Sequence, residues 1–184
     1  MEMIVARWQD WARKGLEHLV LKMSADEIVA ESIVIGSADG DDFAAQYRIV
    51  CDGKWRVNRV EAFEVGSDFN IELTSDDAGN WKDASGKAQP KLKGAIDVDI
   101  AITPFTNTLP VRRLNLKRGD AAEIVTVYIR VPGLSVTTDR QRYTCLELGR
   151  RYLYESVDSD FKLEILTDKH GLVVEYPDLF RRTL

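Results

Sequence analysis

Apolar and polar residues alternate along most of the chain, which is the pattern of β-strands that bury one face. In the stretch "FAAQYRIVC" (43–51), Tyr47 and Ile49 fall on one face with a period of two. In "AIDVDIAI" (95–102), Val98 and Ile100 repeat this pattern between two aspartates. Many such segments, separated by turn residues, predict a mainly β protein.

Turn signals between these segments predict hairpins and one irregularity. The dipeptide Asp52-Gly53 separates two strand patterns and is typical of a type I′ turn, in which both central residues have positive φ. In the strand that follows, Val57 and Val60 have opposite parity, so we expect a bulge near residues 58–59. A further turn is predicted at residues 77–80.

Two segments have patterns that fit a helix. Residues 2–15, "EMIVARWQDWARKG", fit either an amphipathic helix or a first strand with its two tryptophans as edge aromatics, and the pattern leaves both open. Residues 106–114, "TNTLPVRRL", predict a short helix. Thr106 or Thr108 is its expected N-cap, and Pro110 suits its first turn.

Composition and charge narrow the class of protein. Of 184 residues, 45% are hydrophobic and 30% are charged, which suits a single domain, 1–184, with a sizeable core. The net charge of −5 disfavours nucleic-acid binding and docking on anionic membranes. No apolar run reaches 18 residues and no signal peptide is visible, so we expect a cytoplasmic protein without a membrane span. Cys51 and Cys145 are predicted to be buried free thiols.

Residues 97–116, "DVDIAITPFTNTLPVRRLNL", form a central segment that is unusually rich in charged and polar groups. Asp97 and Asp99 point to one face of a predicted strand, roughly 6 to 7 Å apart. A solvated outer face explains them most simply. An internal ion-pair cluster with Arg112 and Arg113 is a second interpretation, because a guanidinium group pairs well with a carboxylate.

A third interpretation of the two aspartates is glycoside hydrolysis, which uses carboxylates roughly 5 to 9.5 Å apart. Some chitin-cleaving enzymes with a similar acidic motif carry a further glutamate two residues on, where this chain has Ala101. The uncharged side chains of Thr103, Thr106, Asn107 and Thr108 serve as capping groups. Alternatively, they line the polar end of a pocket for a hydroxyl-rich head group.

The motifs of several common chemistries are missing. His18 and His170 are the only histidines, and no Cys/His cluster has the spacing of a metal site. The sequence contains no P-loop, no G-x-G-x-x-G and no G-x-S-x-G. We therefore expect no metal and no cofactor.

Five stretches of the chain together resemble a family of bacterial proteins named for glycolipid binding. They are "GLEHLVL" (15–21), "GNW" (79–81), "LKGAIDVDIAITPFTNTLPVRRL" (92–114), "QRYTCLE" (141–147) and "GLVVEYPDLFRR" (171–182). The match spans nearly the whole chain, and its central part is the most specific. The resemblance implies a spiral β-roll, in which a long antiparallel sheet wraps around a single central α-helix. It also implies a homodimer.

The function implied by this resemblance is non-enzymatic binding of a glycolipid or another acyl-containing, amphipathic ligand. An apolar inner wall would take the acyl part, and polar residues would take the head group. The candidate ligand-binding residues are Asp97, Asp99, Thr106, Asn107, Arg112, Arg113 and Tyr143. Two alternatives stay open, a small hydrolase that uses the two aspartates and a dimeric scaffold without a ligand. An apolar cavity of roughly 300 Å³ or more favours binding over a scaffold.

Overall fold

The computed structural model describes residues 1–38, 40–76 and 78–184, and this part of the chain forms a mainly β protein. Its fourteen strands belong to one sheet in the order β7-β6-β5-β4-β3-β2-β1-β14-β13-β12-β11-β10-β9-β8. The strands are β1 Glu2–Asp10, β2 Leu16–Met23, β3 Glu27–Ala38, β4 Asp41–Asp52, β5 Val57–Glu64, β6 Asn70–Ser75, β7 Trp81–Asp83, β8 Asp97–Ile100, β9 Ala121–Arg130, β10 Ser135–Glu147, β11 Arg151–Ser156, β12 Lys162–Thr167, β13 Val173–Tyr176 and β14 Phe180–Arg182. The prediction of a mainly β fold is confirmed.

A short helix in the central segment is also confirmed. Helix α1 spans Thr108–Leu114 and follows directly on a 3-10 turn, Phe105–Asn107. The predicted N-cap is wrong, because the helix starts after Asn107 and has no side-chain cap. It ends at Asn115, which has a left-handed backbone with φ of 46°, a conformation that asparagine tolerates well. No helix in the described part of the chain is long and apolar enough to cross a membrane.

The amino-terminal segment, which fitted either a helix or a strand, is strand β1. Tertiary packing decides between the two patterns, because β1 has neighbours on both edges and buries Ala6 and Trp8 completely. The indole nitrogen of Trp8 donates a hydrogen bond to the carbonyl of Val173, 2.7 Å away. Trp11 lies just beyond the strand and is 46% exposed.

The sheet consists of two meanders joined side by side. Strands β1 to β7 pair in sequence order, β8 to β14 do the same, and the antiparallel pair β1–β14 joins the two groups. One pair departs from the antiparallel sheet that was expected. Strands β8 and β9 are parallel, and α1 lies in the crossover between them, as parallel pairing requires.

The predicted hairpin of β4 and β5 and the predicted bulge are both confirmed, whereas the type I′ turn at Asp52-Gly53 is wrong. The loop between β4 and β5 is longer than two residues, and its positive φ of 65° falls on Trp55. Gly53 is needed there for space, since a Cβ would lie 1.9 Å from the carbonyl oxygen of Ala25. The register shifts between Val50 and Cys51, which leaves the bulge on β5 at residue 58. The predicted turn at 77–80 includes Asp77, which lies outside the described residues.

The core has two apolar clusters, and the helical segment contributes to both. Phe105 and Leu109 are completely buried in the larger cluster with the inward side chains of β1 to β5. Val111 packs into the smaller cluster with residues of β10 to β13. Cys51 and Cys145 are buried free thiols, as predicted.

Candidate functional site

Asp97 and Arg113 form a buried ion pair at the carboxyl end of the helical segment. Asp97 is 0% exposed, and the Nε of Arg113 lies 3.0 and 3.1 Å from its two carboxylate oxygens. A terminal nitrogen of Arg113 donates a third hydrogen bond of 2.5 Å. Burial raises the pKa of Asp97, and the guanidinium group of Arg113 opposes that rise. The pair ties the last turn of α1 to strand β8.

Asp99 belongs to a chain of hydrogen bonds that holds the middle of the same segment. Its carboxylate accepts hydrogen bonds from Thr106 Oγ1 at 3.1 Å and from Gln141 Nε2 at 2.6 Å. The hydroxyl of Tyr143 donates to Gln141 Oε1 at 3.3 Å and to Asn107 Oδ1 at 2.9 Å. Burial raises the pKa of Asp99 to about 6, although both hydrogen bonds to the carboxylate oppose the rise.

Arg112 is separated from these contacts. Its side chain is exposed, and the guanidinium carbon lies 5.2 Å from the centre of the Trp55 ring. It also packs beside Gly171, where a Cβ would lie 2.8 Å from the Cδ of Arg112. The predicted ion-pair cluster therefore forms through Arg113, while Arg112 makes a cation–π contact. The structure thus places six of the seven candidate residues in two sets of contacts, the Asp97–Arg113 pair and the Asp99 hydrogen-bond chain, and places Arg112 in neither.

The two aspartates do not open together onto a cleft. Asp97 has no exposed surface and faces an arginine, so a solvated outer face is the wrong interpretation for it. Asp99 is only partly buried, but both of its oxygens accept hydrogen bonds from the protein. In the described residues, no group of three or more His, Cys, Asp or Glu side chains is arranged to hold a metal ion.

A second buried carboxylate, which the sequence interpretation missed, lies at the other end of the helical segment. We call Glu17, Ser32, Tyr47 and Thr103 the Glu17 cluster. The hydroxyls of Ser32, Tyr47 and Thr103 all donate to Glu17 Oε1, at 2.8, 2.6 and 2.9 Å. Thr103 Oγ1 in turn accepts a hydrogen bond from the backbone N–H of Phe105 at 3.0 Å, where the 3-10 turn begins.

The Glu17 cluster holds a carboxyl group without a cation. Glu17 is 2% exposed, and its Oε2 is buried without a hydrogen-bond partner in the described part of the protein. Burial raises the pKa of Glu17 to about 7, and the three hydroxyl donors oppose that rise only in part. Burial and the adjacent carboxyl group raise the pKa of Tyr47 well above its usual value, so this phenol stays neutral.

An apolar pocket lies against the Glu17 cluster, at the end of strands β1 to β4. Its volume is about 130 Å³, and Glu17 is part of its lining. Apolar side chains form most of the wall, namely Trp8, Leu16, Val34, Phe43, Ile102 and Phe180. Leu16 and Ile35 lie opposite each other on β2 and β3 at this pocket, and they are 41% and 51% exposed. The pocket is therefore mainly apolar, and Asp10, Ser37 and the buried Glu17 are the polar residues of its described lining.

Comparisons with known proteins identify the family. A family model described as "Putative glycolipid-binding" matches residues 5–182, which is nearly the whole chain. The chain belongs to this family. It is also similar to the crystal structure of a DUF1089 family protein from Pseudomonas aeruginosa, with 36% sequence identity, 92% of each chain covered and a TM-score of 0.82. A search of curated proteins found no match.

In this member of the glycolipid-binding family, the strand pattern around Glu17 indicates that its side chain is buried. Glu17 has the same strand parity as Leu19 and Leu21, which are completely buried, so it had to point inward. A carboxylate on the apolar parity of a strand needs partners inside the protein. Those partners come from β3, β4 and the central segment, and nothing in the local pattern shows which residues they are.

Proposed function

We propose that the protein is a non-catalytic binding protein for an amphipathic ligand, such as a glycolipid, and that the apolar end of the ligand enters the pocket beside Glu17. The observation that carries this proposal is the apolar pocket with its exposed apolar rim. A volume of about 130 Å³ suits one ring or a short stretch of an acyl chain, since a cavity of about 150 Å³ in another protein binds benzene. The pocket does not reach the roughly 300 Å³ that would favour binding over a ligand-free scaffold, so the proposal is that it takes only one end of the ligand.

The rest of the ligand would lie on the outer face of the sheet. Ile33 and Phe63 are 55% and 44% exposed and face outward in one row across β3 to β5, where both pair with Gln46. Ile35 at the pocket rim lies in the next row, which runs through Ala44 to the exposed Val65. Exposed apolar surface of this kind is typical of a binding site for an apolar group.

The spiral roll implied by the family is part of the proposal. Phe105 stacks on Tyr47 of β4 at 6.5 Å, whereas Asn107 bonds to Tyr143 of β10, eight positions away in the strand order. In addition, Trp81 on β7, at one end of that order, donates a hydrogen bond to the carbonyl of Ala95, two residues before β8 at the other end. A sheet that curls around α1 as one domain, residues 1–184, accounts for these contacts.

We assign the polar residues of the central segment to holding α1 in place. Asp97, Asp99, Thr106, Asn107, Arg113 and Tyr143 have partners within the chain, so binding a head group would require breaking internal hydrogen bonds. Arg112 is accessible and stays a candidate for contact with a head group. The homodimer and the cytoplasmic location stay predictions.

Titration with octyl glucoside, far below its micelle concentration, tests the proposed function. Gly15, Gly36 and Ile102 line the pocket, and their backbone amide NMR signals should shift until the binding site is saturated. Octanol should produce the same shifts, and glucose should not. Ala101→Phe should weaken binding at least tenfold, because Ala101 is an exposed lining residue and the larger side chain fills the pocket.

The matched control is Ala88→Phe, which adds the same group at an exposed position away from the pocket and should leave binding unchanged. Mass spectrometry of an organic extract of the protein, purified without detergent from its native host, provides an independent test. A stoichiometric acyl compound supports the proposal. A folded protein that yields no such compound, and whose pocket signals do not respond to octyl glucoside, is a scaffold without a ligand.

A further inference from the structure

One oxygen of Glu17 has no hydrogen-bond partner among the described residues, and the apolar side chains of the pocket cannot supply one. Oε1 accepts hydrogen bonds from three hydroxyls, while Oε2 has no partner in the residues that the structure describes. A buried polar atom without a partner destabilises a folded protein, and most such atoms are paired. Glu17 is a lining residue of the pocket and its Oε2 is almost closed to solvent, so we look for the missing partner in a group that enters the pocket and packs closely against this side chain.

We propose that the pocket binds a compact apolar group that carries an uncharged hydrogen-bond acceptor, and that Glu17 Oε2 donates a hydrogen bond to this acceptor. The ketone, ester or ether oxygen of a ring-sized group has this chemistry. This inference rests on the proposed function, because it names the chemical class of the ligand for the same pocket.

The arrangement of donors around Glu17 favours this direction of the hydrogen bond. Three hydroxyl donors saturate Oε1 as the carbonyl-like oxygen, so a proton on the carboxyl group belongs on Oε2. No arginine, lysine or histidine belongs to the pocket lining or to the Glu17 cluster, in the part of the chain that is described. A ligand that carries a negative charge would meet no cation there.

The titratable groups that face this space are few. Among the described residues they are Glu17 itself, Asp10 from the end of β1, and Tyr47 and Asp42 from β4, the last of which accepts a hydrogen bond from the lining residue Ser37 at 2.8 Å. Tyr47 keeps its proton at any pH near neutrality, since its pKa is raised well above the usual value. Burial raises the pKa of Glu17 to about 7, so its proton is lost between pH 6 and pH 8.

The test compares cyclohexanone, which has an acceptor and no donor, with methylenecyclohexane, which has the same shape without the oxygen. Binding is followed by the amide signals of Gly15 and Gly36. The wild-type protein should bind cyclohexanone more tightly at pH 6, and its affinity should fall about tenfold by pH 8, because only the protonated fraction of Glu17 donates. The affinity for methylenecyclohexane should not fall over this range.

Glu17→Gln is the deciding variant, because its amide donates at every pH and its carbonyl still accepts from the three hydroxyls. It should bind cyclohexanone equally at pH 6 and pH 8. Asp10→Asn is the matched control and should keep the pH dependence of the wild-type protein. If both probes bind with equal affinity at both pH values, the role of Glu17 is wrong and the pocket still stands. If neither probe binds to the folded protein, the proposed function itself fails.

Discussion

Asp97 and Glu17 are both buried carboxyl groups next to the same helical segment, but their hydrogen-bond partners differ. Asp97 faces Arg113, which supplies three hydrogen bonds and a full positive charge. Glu17 faces three neutral hydroxyls, which all bind one oxygen and leave the other without a partner. Burial raises the pKa of both groups, but only at Asp97 does a cation oppose that rise, whereas the pKa of Glu17 reaches about 7.

This difference separates a structural contact from a candidate binding group. A fully paired carboxylate has no capacity for a ligand, and breaking its pair exposes a buried charge. A carboxyl group with one free oxygen beside a pocket can still form a hydrogen bond. The comparison supports the proposed binding role of Glu17 and the proposed structural role of Asp97, and the following substitutions test it at these two groups and at the Tyr143 contact of the same helical segment.

The largest effect is expected for Arg113→Met, which leaves Asp97 buried without its cation. We expect the free energy of unfolding at pH 7 to fall by about 3 to 5 kcal/mol, measured by denaturant unfolding. Arg112→Met removes the same charge at the neighbouring, exposed position and should cost less than about 1 kcal/mol. Similar losses from the two substitutions would show that the Asp97–Arg113 pair does not anchor the helix.

The next largest effect is a pH-dependent difference between the wild-type protein and Glu17→Gln. The pKa of Glu17 is about 7 in the folded protein against an ordinary 4.5, so the folded state binds more protons than the unfolded chain between these values. The wild-type protein should therefore lose stability relative to the variant as pH rises from 4.5 to 7, by about 3 kcal/mol in total. Above pH 7 the difference should stay constant.

Denaturant unfolding of both proteins at pH 4, 5, 6, 7 and 8 measures this difference. Asp99 titrates in the same direction, with a pKa of about 6, but it is present in both proteins and its contribution cancels. A difference that does not change with pH would mean that the carboxyl group of Glu17 ionises as freely as in water.

A smaller loss is expected for Tyr143→Phe. The hydroxyl of Tyr143 donates to Asn107 and to Gln141, so its removal leaves buried acceptors without a donor. We expect a loss of about 1 to 2 kcal/mol in the free energy of unfolding, from thermal or denaturant unfolding. Octyl glucoside binding should not change. If Tyr143→Phe weakens binding with little loss of stability, Tyr143 contacts the ligand and its assignment to holding α1 is wrong.

The smallest effect on stability is expected for Ser32→Ala, because Glu17 Oε1 keeps two of its three donors. The cost should be about 0.5 to 1 kcal/mol. The pKa of Glu17 should rise above its wild-type value, since the lost hydrogen bond favoured the ionised form. A pH titration of the Glu17 side-chain carboxyl ¹³C signal measures this shift, and a fall in pKa would contradict the account of the cluster.

The local pattern was sufficient for strands such as β4 and β8 and for helix α1, because period-two alternation and the Pro110 context are properties of neighbouring residues. The pattern around Asn58 also showed the bulge on β5, which the register confirms. By contrast, the first strand could not be separated from a helix, since its pairing with β14 depends on residues about 170 positions away. The parallel pair β8–β9 is likewise a property of the whole sheet.

The candidate site was predicted less well, because its contacts also depend on residues that are far apart in the sequence. The sequence indicated that the aspartates and arginines of the central segment would meet, and Asp97 does pair with Arg113. It did not indicate that Gln141 and Glu17 would contact the central segment, because each reaches that segment from a distant strand. A buried polar residue is visible in the pattern of its own strand, but its partners are set by how the sheet folds.

The pairing of β1 with β14 affects how long one edge of β1 stays open while the chain is being synthesised. Strands β2 to β7 can add to β1 as soon as they leave the ribosome, since each pairs with the strand before it. The other edge of β1 has no partner until residues 180–182 have been synthesised. An open strand edge invites pairing with other chains. Strand β1 therefore keeps one open edge until the end of the sheet has been synthesised, and pairing at this edge is one route to aggregation of the nascent protein.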